Sequence, residues 1–532
     1  MTINFKIRYT AGYGEEVRLN VIVDDGSHEQ TASISMTTLD GELWTCRIGD
    51  IEPKSNPHID YFFTVDSAGR ELKREWTGIT HRIDLNLTHC KVLSVENILY
   101  DIPDESRLYT AAYADCLCRR PATPIQRNAP NKNLRLIVRA PQLLSGQRLA
   151  ILGSGRALGE WQTDKAIMMN EHNACEWQVD LNATALGTAM EFMFVAIDNN
   201  GNIDMETGSR RSMCIPQILP YEAVAMELPQ ANFNPDKRQL TITHVSMSQL
   251  HDEGRFGMGD FGSLAAFVND IAHSERANII SVPPVNDTIS THTAADATFF
   301  STISVFALHP ILADLRQLPD IDDPQENKRM ENIRTQLNAC DDIDYCATLD
   351  AKLEYLRLVF MQEGDKTMHS AAYRRFFAEN ERWLVPYAQY SYLRDAYSIA
   401  DFHKWPSHNE WTEAERGLLQ NPRTKAYKKL AFIYYVQFVL HNQLKAVHQL
   451  AREHSIVLMS DLTANINPNS CDNWQTAHSV GSDEWWLMRI NTQCQYFDAC
   501  RINNKLKRRT AITSRIRMLL ADDDDCQILK VY

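Results

Sequence analysis

The run YFDACRINN, residues 496–504, has the form of a buried strand that hands its last residues to a site, and it reaches Asn503 where an acid would make chemical sense. A second run, SIVLMSD, closes in the same way on Asp461. Strands linked by helices build parallel sheets, and such sheets place their chemistry at the carboxyl ends of the strands. Asp461 and Asn503 stand at two such ends.

The elements that must position them read as an α/β layout from about residue 240 onward. LTITHV and NIISVPP are the first two strands, and between them Leu264, Phe267, Val268 and Ile271 fall on one face of a helix. Residues 322–453 are mostly helical and end in a long apolar-faced helix near Lys425–Glu453. Ahead of this the pattern is different. Short alternating runs from Phe5 to Leu87, FKIRYT, VRLNVIV, LWTCRI and IDYFFTV, are separated by Gly, Asp and Pro turns and predict an all-β sandwich. After a linker-like stretch the same grammar returns in LRLIVRAP, QRLAILG, EWQVDL and MEFMFVAID. The expected architecture is therefore multidomain: two β-sandwiches at 1–95 and 132–228, joined by a linker at 96–131, then an α/β region at 236–504 with a helical insertion at about 322–453. The last 28 residues, 505–532, swing from a basic cluster to four consecutive aspartates and read as a tail outside the fold.

The bulk numbers narrow the function classes. With 532 residues the chain needs several domains of roughly 100–200 residues. Hydrophobic residues at 44% and charged residues at 23% are those of an ordinary globular protein, and no window reaches the apolar length of a membrane span. The opening residues alternate and carry charge, with no secretory apolar run, so a cytoplasmic location is expected. Twelve scattered cysteines without a CxxC pair read as reduced thiols, and Cys116 with Cys118 as packing residues rather than a metal pair. A net charge of −14 argues against nucleic acid and anionic membranes as partners and leaves uncharged ligands such as sugars open.

The two sandwiches resemble starch-binding modules of carbohydrate-binding module family 20. In the second, ALGEWQTDKAIMM looks like that family's loop with a sugar-stacking Trp, here Trp161, and CEWQVDL looks like its core strand with Trp177. In the first, ELWTCRI and DYFFTVDSAGRELKREW match the strand holding Trp44 and the second stacking position, Trp76. Indole rings offer rigid apolar faces to the flat C–H faces of a glucan helix. The resemblance implies glucan contacts at Trp76 and Trp161, with Trp44 and Trp177 in the core. Each module departs from the pattern: the second has Met205 for its second Trp and Met193 for its Lys, and the first has Phe62 for its Lys.

From about residue 237 the chain resembles the 4-α-glucanotransferases of glycoside hydrolase family 77. RFGMGDFGSL is similar to the family's opening strand and loop, and VPPVNDTISTHTAADATFFSTISVFALHP to its longest signature. MSDLTANINPNSCDNW keeps Asp461, Ser470, Asp472 and Trp474, and YFDACRINN is similar to the family's nucleophile strand. The resemblance implies an incomplete (β/α)8 barrel of about four strands, substrate contacts at Asp296, Asp461, Asp472, Trp474 and Arg501, no metal or organic cofactor, and α-1,4-glucans or maltodextrins as ligands.

It also implies a lost function. A retaining transglycosylase needs two carboxyl groups about 5–5.5 Å apart, one to attack the anomeric carbon and one to protonate the departing oxygen. The resemblance puts the nucleophile at Asn503, whose neutral amide cannot form the covalent glycosyl ester. Asn504 likewise replaces a His, Ala294 replaces a sugar-facing Trp, and the family's later acid/base carboxylates find no counterpart. The expectation is a 4-α-glucanotransferase family protein that is silent alone. The alternatives are a non-catalytic α-glucan binder and a pseudogene fragment. Four strands would expose barrel edges, so a second copy of the chain or a second barrel fragment is expected as a partner.

Overall fold

In a computed structural model of the chain, the described residues are 1–502 except 25–28, 53–56, 77–79, 88–89, 102, 104–105, 111, 118–129, 145, 174, 234–240, 251, 253, 275, 299–300, 341, 413–416, 418, 463–465 and 476–479, together with 520–521 and 528–529. They fall into two compact units, 1–238 and 239–532.

The first unit is built from alternation. In Thr2–Arg8 every second side chain, Ile3, Phe5 and Ile7, is buried, as a strand with one covered face requires. This strand pairs antiparallel with Leu43–Ile48 and parallel with Val92–Asn97. A sheet centred on Glu15–Asp24 and His58–Ser67 supplies Val17, Leu19, Tyr61 and Phe63 to the same core. From residue 132 the arrangement recurs. Lys132–Arg139 pairs antiparallel with Glu176–Asn182 and parallel with Glu222–Leu228, and Arg148–Gly153 with Ala189–Ile197 lies across the core from them. The two halves are not strung apart on a linker. Val92–Asn97 pairs in parallel with Glu222–Leu228, so a single eight-stranded sheet runs through the unit. Part of the expected linker forms two short helical turns, Ser106–Tyr109 and Ala112–Leu117. Cys116 is buried there, and Cys118 lies outside the described residues.

Alternation assigns Arg135, Arg139, Glu176 and Gln178 to a solvent-facing row, yet all four are buried. The first half covers them, and the result is an ionic seam. His81 Nε2 lies 2.8 Å from Glu75 and its Nδ1 lies 2.5 Å from Glu227. His172 lies 3.4 Å from Asp84 and 3.1 Å from Glu176. Arg139 donates to Glu176 at 3.1 Å and lays its guanidinium 3.5 Å above the Tyr100 ring. Arg135 forms a two-pronged contact with Asp180 and donates to the Asp84 carbonyl at 2.7 Å. Buried charges persist only when paired and hydrogen-bonded, and here four cations meet five carboxylates.

Among the described residues the second unit holds four parallel strands, Ile242–His244, Ile279–Val282, Val457–Leu462 and Ala499–Ile502, hydrogen-bonded in the order of the chain. The helix Phe261–Ser274 connects the first two and Asp483–Cys494 the last two. Between the second and third come Pro324–Asn338, Tyr345–Met368, Ala371–Tyr397 and Lys425–Glu453. Each starts on a side-chain cap, Asp323, Asp344, Ser370 and Thr424 in turn, whose oxygen accepts an otherwise orphaned backbone N–H. Among the described residues no helix is long and apolar enough to cross a membrane. In the tail, Leu520–Ala521 and Ile528–Leu529 pair as two short antiparallel strands.

The seam sets a pH window for the first unit. Burial pulls the His81 and His172 pKa values down, but the facing carboxylates overcome it and raise them from 6.5 to about 10 and about 9. Burial pushes Glu176 up, but His172 and Arg139 overcome it and lower the group from 4.5 to about 2. Stability from the histidines is complete below pH 6.5 and is lost as pH rises through 9 to 10. Stability from Glu176 is complete above pH 4.5 and is lost as pH falls toward 2. Scanning calorimetry of the full chain is expected to show a melting transition that is highest between these limits, with His172→Gln flattening its alkaline arm.

Candidate functional site

The carboxyl ends of the four strands are roofed by a long connection, residues 283–318, that runs from the second strand to the first insertion helix with only short helical turns. A segment this irregular cannot be buried unless other groups satisfy its backbone. Gln437 does so at Leu308, accepting from its N–H at 2.9 Å and donating to its carbonyl at 2.8 Å. Gln443 repeats the arrangement on Asp314, at 2.9 and 2.8 Å. Lys352 donates to the carbonyls of Ile311 and Ala313 at 2.7 and 2.9 Å. Asn286 donates to Val305 at 2.9 Å, and Asp472 accepts from the Val305 N–H at 2.9 Å.

This frame assigns several of the expected substrate contacts another role. Asp472 is 2% exposed, and burial pushes its pKa up to about 7 despite the Val305 N–H and the charge of Arg489. Trp474 is also buried: its indole N–H donates to His408 O at 2.9 Å and its ring packs against Tyr390 and Trp405. Asp472 thus holds the connection at Val305, and Trp474 packs among residues of the helical insertion. Asp296 is buried as well and folds its own loop, accepting from Ser290 Oγ at 2.7 Å and the Thr291 N–H at 2.9 Å. Burial raises its pKa, but these hydrogen bonds prevail and hold it below the ordinary carboxylate value. Ala294, the position of the missing Trp, sits on the exposed tip of that loop.

Asp461 lies in the third strand, partly exposed, with its backbone in register with Arg501 of the fourth. Asn503, one residue beyond the fourth strand, lies outside the described residues, as does Asn504.

Three buried polar groups of the site region escaped sequence reasoning. Asp287 is enclosed; burial raises its pKa to about 6 against Arg394, the Ile289 N–H and the Tyr387 hydroxyl, which donates at 2.7 Å. His309 accepts from the Ile311 N–H on Nδ1 and meets the Tyr345 hydroxyl through Nε2, and burial lowers its pKa to about 3, so it is a neutral spacer. Asp498 anchors the start of the fourth strand to the long helix through His448 at 2.9 Å and Arg452 at 2.7 Å. Polar residues interrupting an apolar helix face, as Gln437, His441 and Gln443 do in FIYYVQFVLHNQL, are the signal that could have exposed the roof.

In the first unit the two expected glucan platforms part company. Trp76 is 7% exposed, packed edge-to-face on Tyr109 at 5.5 Å and beside Cys175, because the Ser106–Tyr109 turn folds over it. The ring that the resemblance puts at a stacking position is buried in this packing. Trp161 is only half-buried and rests beside Met168 and Ile197 on the outer face of its sheet. Its loop has three consecutive left-handed residues, Gly159, Glu160 and Trp161. Such a conformation is unfavourable for the two non-glycine residues and holds a side chain at an unusual angle. The Arg210 guanidinium lies 4.3 Å over the indole. Trp44 and Trp177 are buried.

A family model described as 4-alpha-glucanotransferase matches residues 245–484, which include the roof and Asp461, and one described as starch binding domain matches 133–223, which include Trp161. The chain thus contains a 4-alpha-glucanotransferase domain and a starch-binding domain. It is 25% identical over 405 residues to the 4-alpha-glucanotransferase DPE2 of Oryza sativa subsp. japonica, a match covering 70% of this chain and 43% of the rice protein. It is 25% identical over 247 residues to the 4-alpha-glucanotransferase of Chlamydia pneumoniae, covering 45% of each. The chain thus spans less than half the length of these curated relatives. An amylomaltase from Streptococcus agalactiae, solved in complex with acarbose, aligns over 50% of this chain and 59% of its own, with 15% identity and a TM-score of 0.41.

The roof yields a stability prediction. Gln437→Leu leaves the Leu308 N–H and carbonyl buried and unpaired, at about 1–3 kcal/mol each. Urea unfolding followed by tryptophan fluorescence is expected to show a loss of about 2–6 kcal/mol in the second unit.

Proposed function

We propose that this chain is an α-1,4-glucan-binding member of the 4-alpha-glucanotransferase family that holds polysaccharide through Trp161 and does not turn it over by itself. In the parent reaction, glucan segments pass between maltodextrins through a covalent ester on a carboxylate. The observation that carries the reading is Asn503: the residue that follows the strand YFDACRI at the nucleophile position is an amide. An amide has no anionic oxygen to form that ester, and loss of a nucleophile removes several powers of ten in rate. Asp461 and Arg501 remain as sugar-facing and positioning groups with no nucleophile to serve.

Both halves of the first unit are read as starch-binding modules. The first has exchanged its platform for packing, which the burial of Trp76 supports, and serves as a structural partner of the second. The second keeps Trp161 on its surface beside Arg210, which would move aside or pack against a sugar ring. The region from residue 236 is read as barrel strands with a helical insertion, and a second copy or a complementary fragment as the cover for their edges.

Two measurements on the purified chain test this. Incubation with maltotriose is expected to release no glucose above the buffer blank, and measurable release overturns the claim of silence. In affinity electrophoresis through amylopectin the chain is expected to be retarded, Trp161→Ala to weaken retention about tenfold or more, and the buried Trp76→Phe to leave it unchanged. Unretarded migration of the parent chain removes the binding role.

A further inference from the structure

Three helices of the insertion, Tyr345–Met368, Ala371–Tyr397 and Lys425–Glu453, together with Asp287, Ile289, His292 and Pro310 of the long connection, line an open cavity of about 700 Å³ that the glucan reading leaves unused. Cavities of roughly 300–1,000 Å³ are the size that holds small organic ligands. Its walls are mostly apolar, with Leu353, Phe360, Phe432, Ile433 and Val436 among them. Walls of this kind favour a body of hydrocarbon and offer few partners to a ring of hydroxyl groups.

The charged groups are distributed unevenly around it. Arg357, Lys428 and Lys429 line the cavity and are exposed. Arg357 lies 5.2 Å over the Phe432 ring and Lys429 lies 5.7 Å over the Tyr392 ring, so both charges are held against the aromatic rim. Among the described residues none of the three forms an ion pair with a carboxylate. The carboxylates of the wall are already engaged: Asp395 by Arg394 at 2.8 Å and His292 at 2.9 Å, Asp287 by the Tyr387 hydroxyl at 2.7 Å. Three uncompensated cations at the mouth of one apolar cavity, in a chain of net charge −14, make a local field that draws anions.

We propose that this cavity binds a small amphipathic oxyanion, its apolar body against Leu353, Phe360, Ile433 and Val436 and its carboxylate or phosphate head against Arg357, Lys428 and Lys429. Apolar burial supplies the area-dependent part of the affinity, and the cations choose the head. None of Asp296, Asp461, Asp472, Trp474 and Arg501 lines the cavity, and the proposal does not depend on whether the strand ends bind or turn over glucan.

The test uses the full chain and 8-anilinonaphthalene-1-sulfonate, an apolar fluorescent anion. Its emission is expected to rise saturably with one site per chain. Octyl phosphate and octanoate are expected to displace it, and the more effective of the two identifies the preferred head. Octyl glucoside, with the same tail and a neutral head, is expected to leave the probe in place, and butyl phosphate to compete about tenfold or more weakly than octyl phosphate. Lys428→Glu combined with Lys429→Glu, both exposed and compatible with folding, is expected to weaken octyl phosphate about tenfold or more at unchanged urea midpoint. Absence of saturable binding, displacement by octyl glucoside as readily as by octyl phosphate, or an affinity untouched by the charge reversal overturns the proposal.

Discussion

A backbone with no helix or strand of its own can be buried only if other groups take over its hydrogen bonds. Much of residues 283–318, between its short helical turns, is such a backbone, and the second unit meets that demand with side chains from several elements. Gln437 and Gln443 sit on the long helix, Lys352 on a different one, Asp472 on a short helix after the third strand, and Asn286 within the loop itself. Because the partners come from separate elements, the loop can settle only when all of them are in place. That dependence fixes the connection in place, and Asp472, which the resemblance reads as a sugar contact, is one of its partners.

The first unit meets a comparable demand with charge instead of amides. Covering the outward face of the second half's sheet would strand Arg135, Arg139 and Glu176 in an apolar medium, a cost of several kcal/mol per uncompensated ion. The first half supplies Asp84 and, through His81, draws in Glu75 and Glu227. Ion pairs of this kind add little net stability over a well-packed apolar seam, but they tolerate only one register between the two halves.

Legibility in the sequence followed periodicity and range. The strands and the bounds of the helix Lys425–Glu453 were readable because each is set by local alternation or by an apolar stripe with a cap. The grammar of SIVLMSD and YFDACRI placed the third and fourth strands, since short apolar runs bounded by polar residues behave alike wherever they pack. What stayed hidden depends on contacts distant in the chain. Trp76 looked like an open platform because nothing near it says that Tyr109 will lie across it. The burial of Asp472 was not readable because a buried carboxylate and an exposed one are the same letter. The covering of the polar face of LRLIVRAP was not readable because the covering residues are some fifty positions upstream.

The parallel pairing of Val92–Asn97 with Glu222–Leu228 also has a meaning in time. As the polypeptide emerges from the ribosome, the outer rim of the earlier strand is complete long before its neighbour is made. At translation rates of about 5–20 residues per second, that rim waits roughly 7–26 seconds with unpaired amides facing whatever else is nearby. Nascent chains of this protein therefore pass through a sticky interval fixed by strand order alone, and faster elongation through residues 98–228 shortens it.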